Sequence, residues 1–252
     1  MISLIKEDPV ILLLLIPTIL ISLTFHELAH GYIAYKCGDE TARNMGRLSL
    51  NPIRHLDLYG TLMMLFIGFG WAKPVPVNFR NFRKPRRDIF LVSIAGVTIN
   101  IIFAFIGTIL YFILLYVFLK SSELSFATNY IFNALEYPLV LYKQAELFAG
   151  LESIQVVILQ FLALFTSLNV GLAVFNLLPI PPLDGSKILS VTLPRMLAAK
   201  YLRIEHYTRY IFLGLIFLSY VNPVISEYFW WPVQYLKSSI LLLFQNLMTS
   251  LL

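Results

Sequence analysis

Between Pro9 and Ala34 the chain runs for about the length of a membrane-spanning helix, and the only Asp, Glu, His, Lys or Arg side chains in that run are His26, Glu27 and His30. Ionisable groups at membrane depth are costly unless they are paired, metal-bound or facing water, so this run constrains the fold and the chemistry together. The rest of the chain has the same character: 58% of its 252 residues are hydrophobic, 13% are charged and the mean hydropathy is +0.77. Such a composition belongs to polytopic membrane proteins and leaves little room for a separate soluble domain. The net charge of +5 is explained by membrane orientation and not by a nucleic-acid partner. One cysteine, Cys37, excludes an internal disulfide and reads as an ordinary thiol near a helix end, although its closeness to His30 also allows an inhibitory thiol contact.

The expected fold class is an all-α polytopic membrane protein with about five transmembrane helices, in a range of four to six, plus a short re-entrant segment with some β structure. The first span runs from about Pro9 to Tyr35. The connection that follows carries ten basic residues (Lys36, Arg43, Arg47, Arg54, Lys73, Arg80, Arg83, Lys84, Arg86, Arg87) against four acidic ones, which assigns it to the cytoplasm and the N-terminus to the outside. Within it, Tyr59 to Trp71 is apolar but too short to span and is interrupted by Gly60, Gly68 and Gly70, so it is expected to dip into the membrane and return beside the first helix. The alternation in Pro74-Val75-Pro76-Val77 resembles an edge strand on which an extended substrate can pair. Ile89 to Leu119 is the second span, with Asn100 read as a helix-packing hydrogen bond. Lys120 to Glu152, with two basic and four acidic residues, is an outside loop. Ser153 to Leu178 is the third span, Ser186 to His206 lies partly along the interface, Tyr207 to Val221 is a fourth span, and Pro232 to Leu252 is a fifth span or an in-plane helix behind the aromatic anchor Tyr228 to Trp231. The whole of 1–252 reads as one membrane-embedded domain, with a catalytic core at about 9–190 and C-terminal helices at about 207–252.

The chemistry is concentrated in His26-Glu27-Leu28-Ala29-His30. Residues four apart lie one above the other on a helix, so His26 and His30 can hold one metal ion through ring nitrogens, while Glu27, rotated aside, can take a proton from an attacking water. A third ligand is required. Asp184, in Pro181-Pro182-Leu183-Asp184-Gly185, is the acid whose setting just after an apolar span suits that role; its other reading is a helix N-cap before Ser186. Asn176 reads as an oxyanion or substrate-backbone donor, or as a tie within a broken helix.

Taken in order, His26-Glu27-x-x-His30, the stretch Gly68-Phe69-Gly70-Trp71-Ala72-Lys73-Pro74-Val75-Pro76-Val77, and Asn176-x-x-Pro179-x-Pro181-x-Leu183-Asp184-Gly185 resemble the site-2 protease family of intramembrane zinc metalloproteases, in its compact prokaryotic branch without PDZ or CBS domains. The likeness covers most of Thr24 to Lys187. It implies one zinc ion on His26, His30 and Asp184, with Glu27 as general base. It also implies that the Gly68, Phe69 and Gly70 region forms β structure beside a transmembrane protein substrate, in a multi-pass protein of a prokaryotic cell membrane whose active site lies toward the cytoplasm. Relatives often carry proline after the glycine of Ala95-Gly96; here Val97 follows. Two readings compete: a membrane metal-ion transporter, which would show repeated halves and several sites along a path, and a non-proteolytic membrane scaffold, which has no use for Glu27 beside two ligands.

Overall fold

A computed structural model describes residues 9–67, 70–121 and 153–251. The expectations for Gly68, Phe69 and most of the Lys120 to Glu152 loop lie outside the described residues. Seven helices of eight or more residues are found among those described: α1 (Pro9–Lys36), α2 (Leu58–Ile67), α3 (Pro85–Ser121), α4 (Ser153–Leu177), α5 (Asp184–Thr192), α6 (Arg195–Val221) and α7 (Pro223–Leu251). Three of them, α1, α3 and α4, are long and apolar enough to cross a membrane. In α6 the apolar part is confined to Tyr210–Val221.

α3 is the hub of the bundle, packing on α1, α4, α5 and α7. Burial follows helical spacing. Ile11, Leu15, Ile19 and Leu23 form one buried stripe along α1, closed by Leu168 and Leu172 of α4. Tyr111, Phe112 and Leu115 of α3 meet Leu159, Leu162 and Ala163 of α4 in a second cluster, and Ala104 of α3 joins Val170 and Val174 of α4 and Leu241 and Phe244 of α7 in a third. In hydrocarbon there is little hydrophobic drive between helices, so close packing and buried hydrogen bonds hold them, as where Asn169 Nδ2 of α4 donates to Ser22 Oγ of α1 at 2.9 Å.

Local chemistry corrects several expected boundaries. Of residues 59–71, those to Ile67 are helical, in α2, because the Asp57 carboxylate accepts the Gly60 N–H at 2.9 Å and its carbonyl accepts the Thr61 N–H, which caps a helix start. Among the described residues there is no strand, and the one bridge pairs Leu56 with Ala72. Pro74 to Val77 lies outside any helix and is held by side chains instead: Arg47 donates to the carbonyls of Lys73 and Pro74, and Asp39 accepts the Asn78 N–H. α6 begins at Arg195 and runs through His206 without a break, and α7 begins at Pro223, where Asn222 Oδ1 accepts the N–H groups of Val224 and Ile225. Cys37 is buried with Ala34, Phe82 and Val92, which is a packing role.

Candidate metal centre

α1 and α3 pack with their contacts in opposite sequence order, one turn of α1 facing two turns of α3. On α1, His26 and His30 face α3; on α3, Val92, Gly96 and Asn100 occupy three successive turns of one face. His30 Nδ1 donates to the Val92 carbonyl at 2.7 Å, and His26 Nδ1 lies 3.1 Å from Asn100 Oδ1. A carbonyl only accepts, so the proton of neutral His30 sits on Nδ1 and its Nε2 carries a lone pair. Between these two turns, a Cβ on Gly96 would fall 2.6 Å from His30 Nε2 and 2.7 Å from His26 Nε2. The missing side chain leaves a space beside both imidazoles.

The third side of that space comes from 154 residues beyond His30. α4 ends at Leu177, the chain turns through Pro179 to Leu183, and α5 opens on Asp184. Gly185 permits this, since a Cβ there would meet the Leu177 carbonyl oxygen at 2.2 Å. Asp184 is buried and its carboxylate is directed away from its own helix start: Oδ2 lies 3.3 Å from His26 Nε2 and 3.0 Å from His30 Nε2, and Oδ1 accepts from Lys187 Nζ at 3.2 Å. The helix-cap reading is therefore not the one seen. His26 and His30 Nε2 are themselves 3.0 Å apart.

Three ligand atoms, all within 4.8 Å of one another, converge from two helices, α1 and α5, among the described residues. Two imidazole nitrogens and a carboxylate oxygen form a donor set suited to zinc, and ligands about 2.0–2.1 Å from a tetrahedral ion stand roughly 3.3 Å apart, close to the spacings here. Lone pairs converging at such distances repel one another unless a cation or proton lies between them. The residues fit the ion.

Residues 14–219 match Peptidase family M50. The chain belongs to that family. "Putative zinc metalloprotease YwhC" of Bacillus subtilis (strain 168) is 41% identical over 238 residues, 94% of this chain and 94% of its own. "Putative zinc metalloprotease Rip2" of Mycobacterium tuberculosis, in strains H37Rv and Erdman, is 31% identical over 172 residues, 66% of this chain and 52% of that protein. No solved structure matches. As a family M50 member the chain is a zinc metalloendopeptidase, and His26, His30 and Asp184 are the cluster that can hold its ion.

The other expected site residues are placed differently. Glu27 is half-buried and its Oε2 accepts the Val75 N–H at 2.8 Å, so the carboxylate adjoins the Pro74 to Val77 segment. Asn176 donates Nδ2 to the Leu172 carbonyl of its own helix at 3.0 Å, a tie within α4 and not a contact with the triad. Gly70 follows α2 outside any helix, and Gly68 and Phe69 are outside the described residues. Two side chains were missed by sequence reasoning. Asn100 touches a ligand rather than merely packing helices, and its signal was the four-residue step from Gly96. Lys187, counted only as a cytoplasmic charge, stands one helical turn from Asp184.

Proposed function

We propose that this chain cleaves peptide bonds of transmembrane protein substrates at a zinc ion held by His26, His30 and Asp184, with Glu27 as general base. The observation that carries this reading is the burial of two imidazoles from α1 and a carboxylate from α5 around one small space inside an apolar bundle. A zinc ion there supplies Lewis acidity, which polarises a scissile carbonyl and acidifies water near neutral pH. The residues do the rest. Nδ1 of each histidine keeps its proton on an acceptor, which leaves both Nε2 atoms for the metal. Lys187 occupies Asp184 Oδ1 and leaves Oδ2 turned to the imidazoles. Glu27 Oε1 takes the proton of the attacking water while Oε2 stays on the Val75 amide, and the proton then passes to the departing nitrogen.

The substrate helix must unwind to be cut, and Pro74 to Val77 is suited to hold it extended. Pro74 and Pro76 have no N–H, the Val75 N–H is taken by Glu27, and Arg47 covers the carbonyls of Lys73 and Pro74. Among the described residues no hydrogen bond is seen at the Val77 N–H or at the carbonyls of Val75, Pro76 and Val77, which suits them to an extended chain. In the proposed topology the N-terminus is outside a prokaryotic cell membrane, the site faces the cytoplasmic side, and α6 and α7 supply the remaining spans of about five. The test is cleavage of a transmembrane reporter in proteoliposomes by the wild type and by Glu27→Gln. The variant should lose about 10²–10⁴-fold in rate. Near-normal turnover would overturn the role of Glu27.

A further inference from the structure

The two histidines are held in different ways. His30 Nδ1 meets a main-chain carbonyl, whose chemistry no substitution alters and which can only accept. His26 Nδ1 meets a side-chain amide, and an amide has two faces: oxygen, which accepts, and nitrogen, which donates. If the oxygen faces the ring, Nδ1 keeps its proton and Nε2 points a lone pair into the space beside Gly96. If the amide is turned about, Nδ2 donates to Nδ1, the proton of neutral His26 moves to Nε2, and that proton occupies the metal position. Asn100 is fully buried and 74 residues away from His26 in sequence, and its Nδ2 has no partner among the described residues. An apolar membrane helix gains little from a half-satisfied amide as packing alone, since an unpaired buried donor is costly. The oxygen's contact with His26 is what offsets that cost.

We propose that Asn100 is a positioning residue of the metal centre: its side-chain oxygen fixes His26 as the Nδ1–H tautomer and thereby sets the affinity for zinc. The inference rests on the reading of His26, His30 and Asp184 as zinc ligands. It goes beyond that reading in assigning the strength of the site to a residue that does not touch the metal. Groups in this position on other metal sites are worth about 10–100-fold in metal affinity.

The test is zinc affinity, measured by competition with a chelating indicator on the full-length protein in detergent, for the wild type, Asn100→Asp, Asn100→Leu and Asn169→Leu. Asn100→Asp keeps an oxygen acceptor of nearly the same shape and should bind zinc at least as tightly as the wild type. Asn100→Leu removes the acceptor and should weaken binding about 10–100-fold. Asn169→Leu deletes a buried interhelical hydrogen bond to Ser22, one turn before His26, that involves none of the three ligands; it should lower thermal stability and leave zinc affinity within about twofold, as expected of a polar group that only packs helices. Zinc affinity unchanged in Asn100→Leu, or lowered in Asn100→Asp by as much as in Asn100→Leu, would overturn the proposal. Should Asn100→Leu fail to fold, the Asn100→Asp result alone decides, because a merely structural asparagine gives no reason for a buried carboxylate to preserve tight zinc binding. Failure of the underlying reading looks different: the wild type itself would then bind no zinc with affinity above that of a His26→Ala, His30→Ala double variant.

Discussion

His26 and Glu27 are neighbours in sequence, yet they are supported by two unlike parts of the molecule. The imidazoles stand on α1 and are held a second time from α3, so their geometry is set by two rigid rods. The carboxylate of Glu27 is held by the Val75 amide, in a segment that belongs to no helix and hangs from Arg47, from His55 through the Lys73 N–H, and from Asp39 through the Asn78 N–H. Regular structure holds the metal ligands, and side-chain ties hold the partner of the base. Binding the ion and using it are therefore separable, and mutations in the two regions should fail in different ways.

The largest effect is expected where the rods meet. Gly96→Ala places a methyl group about where the two Nε2 atoms converge, closer than a Cβ ever approaches other atoms, so zinc content and cleavage should both be abolished while the helices still form. Full zinc content in that variant would break the distinction at its stronger half. A smaller and selective effect is expected from the segment. Val77→Pro removes the last N–H available to a pairing chain without breaking any hydrogen bond seen among the described residues. Cleavage of a transmembrane substrate should fall about five- to tenfold, the worth of one hydrogen bond, with zinc retained and hydrolysis of a short soluble peptide little changed. Equal losses on both substrates would remove strand pairing from the account.

The smallest effect concerns the tie at Asp39, outside the spans. Burial opposes its ionisation, but hydrogen bonds from the Thr41 hydroxyl, the Asn78 amide, the Asn81 side chain and the Thr41 amide outweigh it and hold the carboxyl below the usual range. A folded-state pKa lower than the unfolded one gives stability that is complete above about pH 4 and is lost as pH falls through the folded value. Asp39→Ala should cost about 1–3 kcal/mol at neutral pH and flatten the acid side of the stability profile, read by thermal unfolding between pH 3 and pH 7. An unchanged acid profile would show that Asp39 does not tie the segment.

Much of the bundle was legible because membrane helices announce themselves by length: the expected and observed limits of α1 and α4 agree within a residue or so. Where the reading failed, capping was overlooked. Asp57 before Leu58 and Asn222 before Pro223 are ordinary helix-start signals that apolarity alone does not show, so the helical form of α2 is not evident from its apolar run and α7 begins nine residues before the expected Pro232. The boundary expected between His206 and Tyr207 follows from assigning the charged Ser186 to His206 segment to the interface, although one helix runs through both, from Arg195 to Val221. Within the site, the His26, His30 and Asp184 cluster was legible from spacing and setting. The Val92 carbonyl was not, because any residue type supplies one, and the Val75 amide was hidden for the same reason. The step from Gly96 to Asn100 points to the site only once α1 and α3 are known to pack face to face there.

The most direct test is zinc content per chain, measured by elemental analysis of wild type and Asp184→Ala purified side by side. About one zinc per chain is expected for the wild type, and well below one for Asp184→Ala, with cleavage lost in proportion. Full zinc occupancy in Asp184→Ala, or a wild type that cleaves its substrate without zinc, would contradict it.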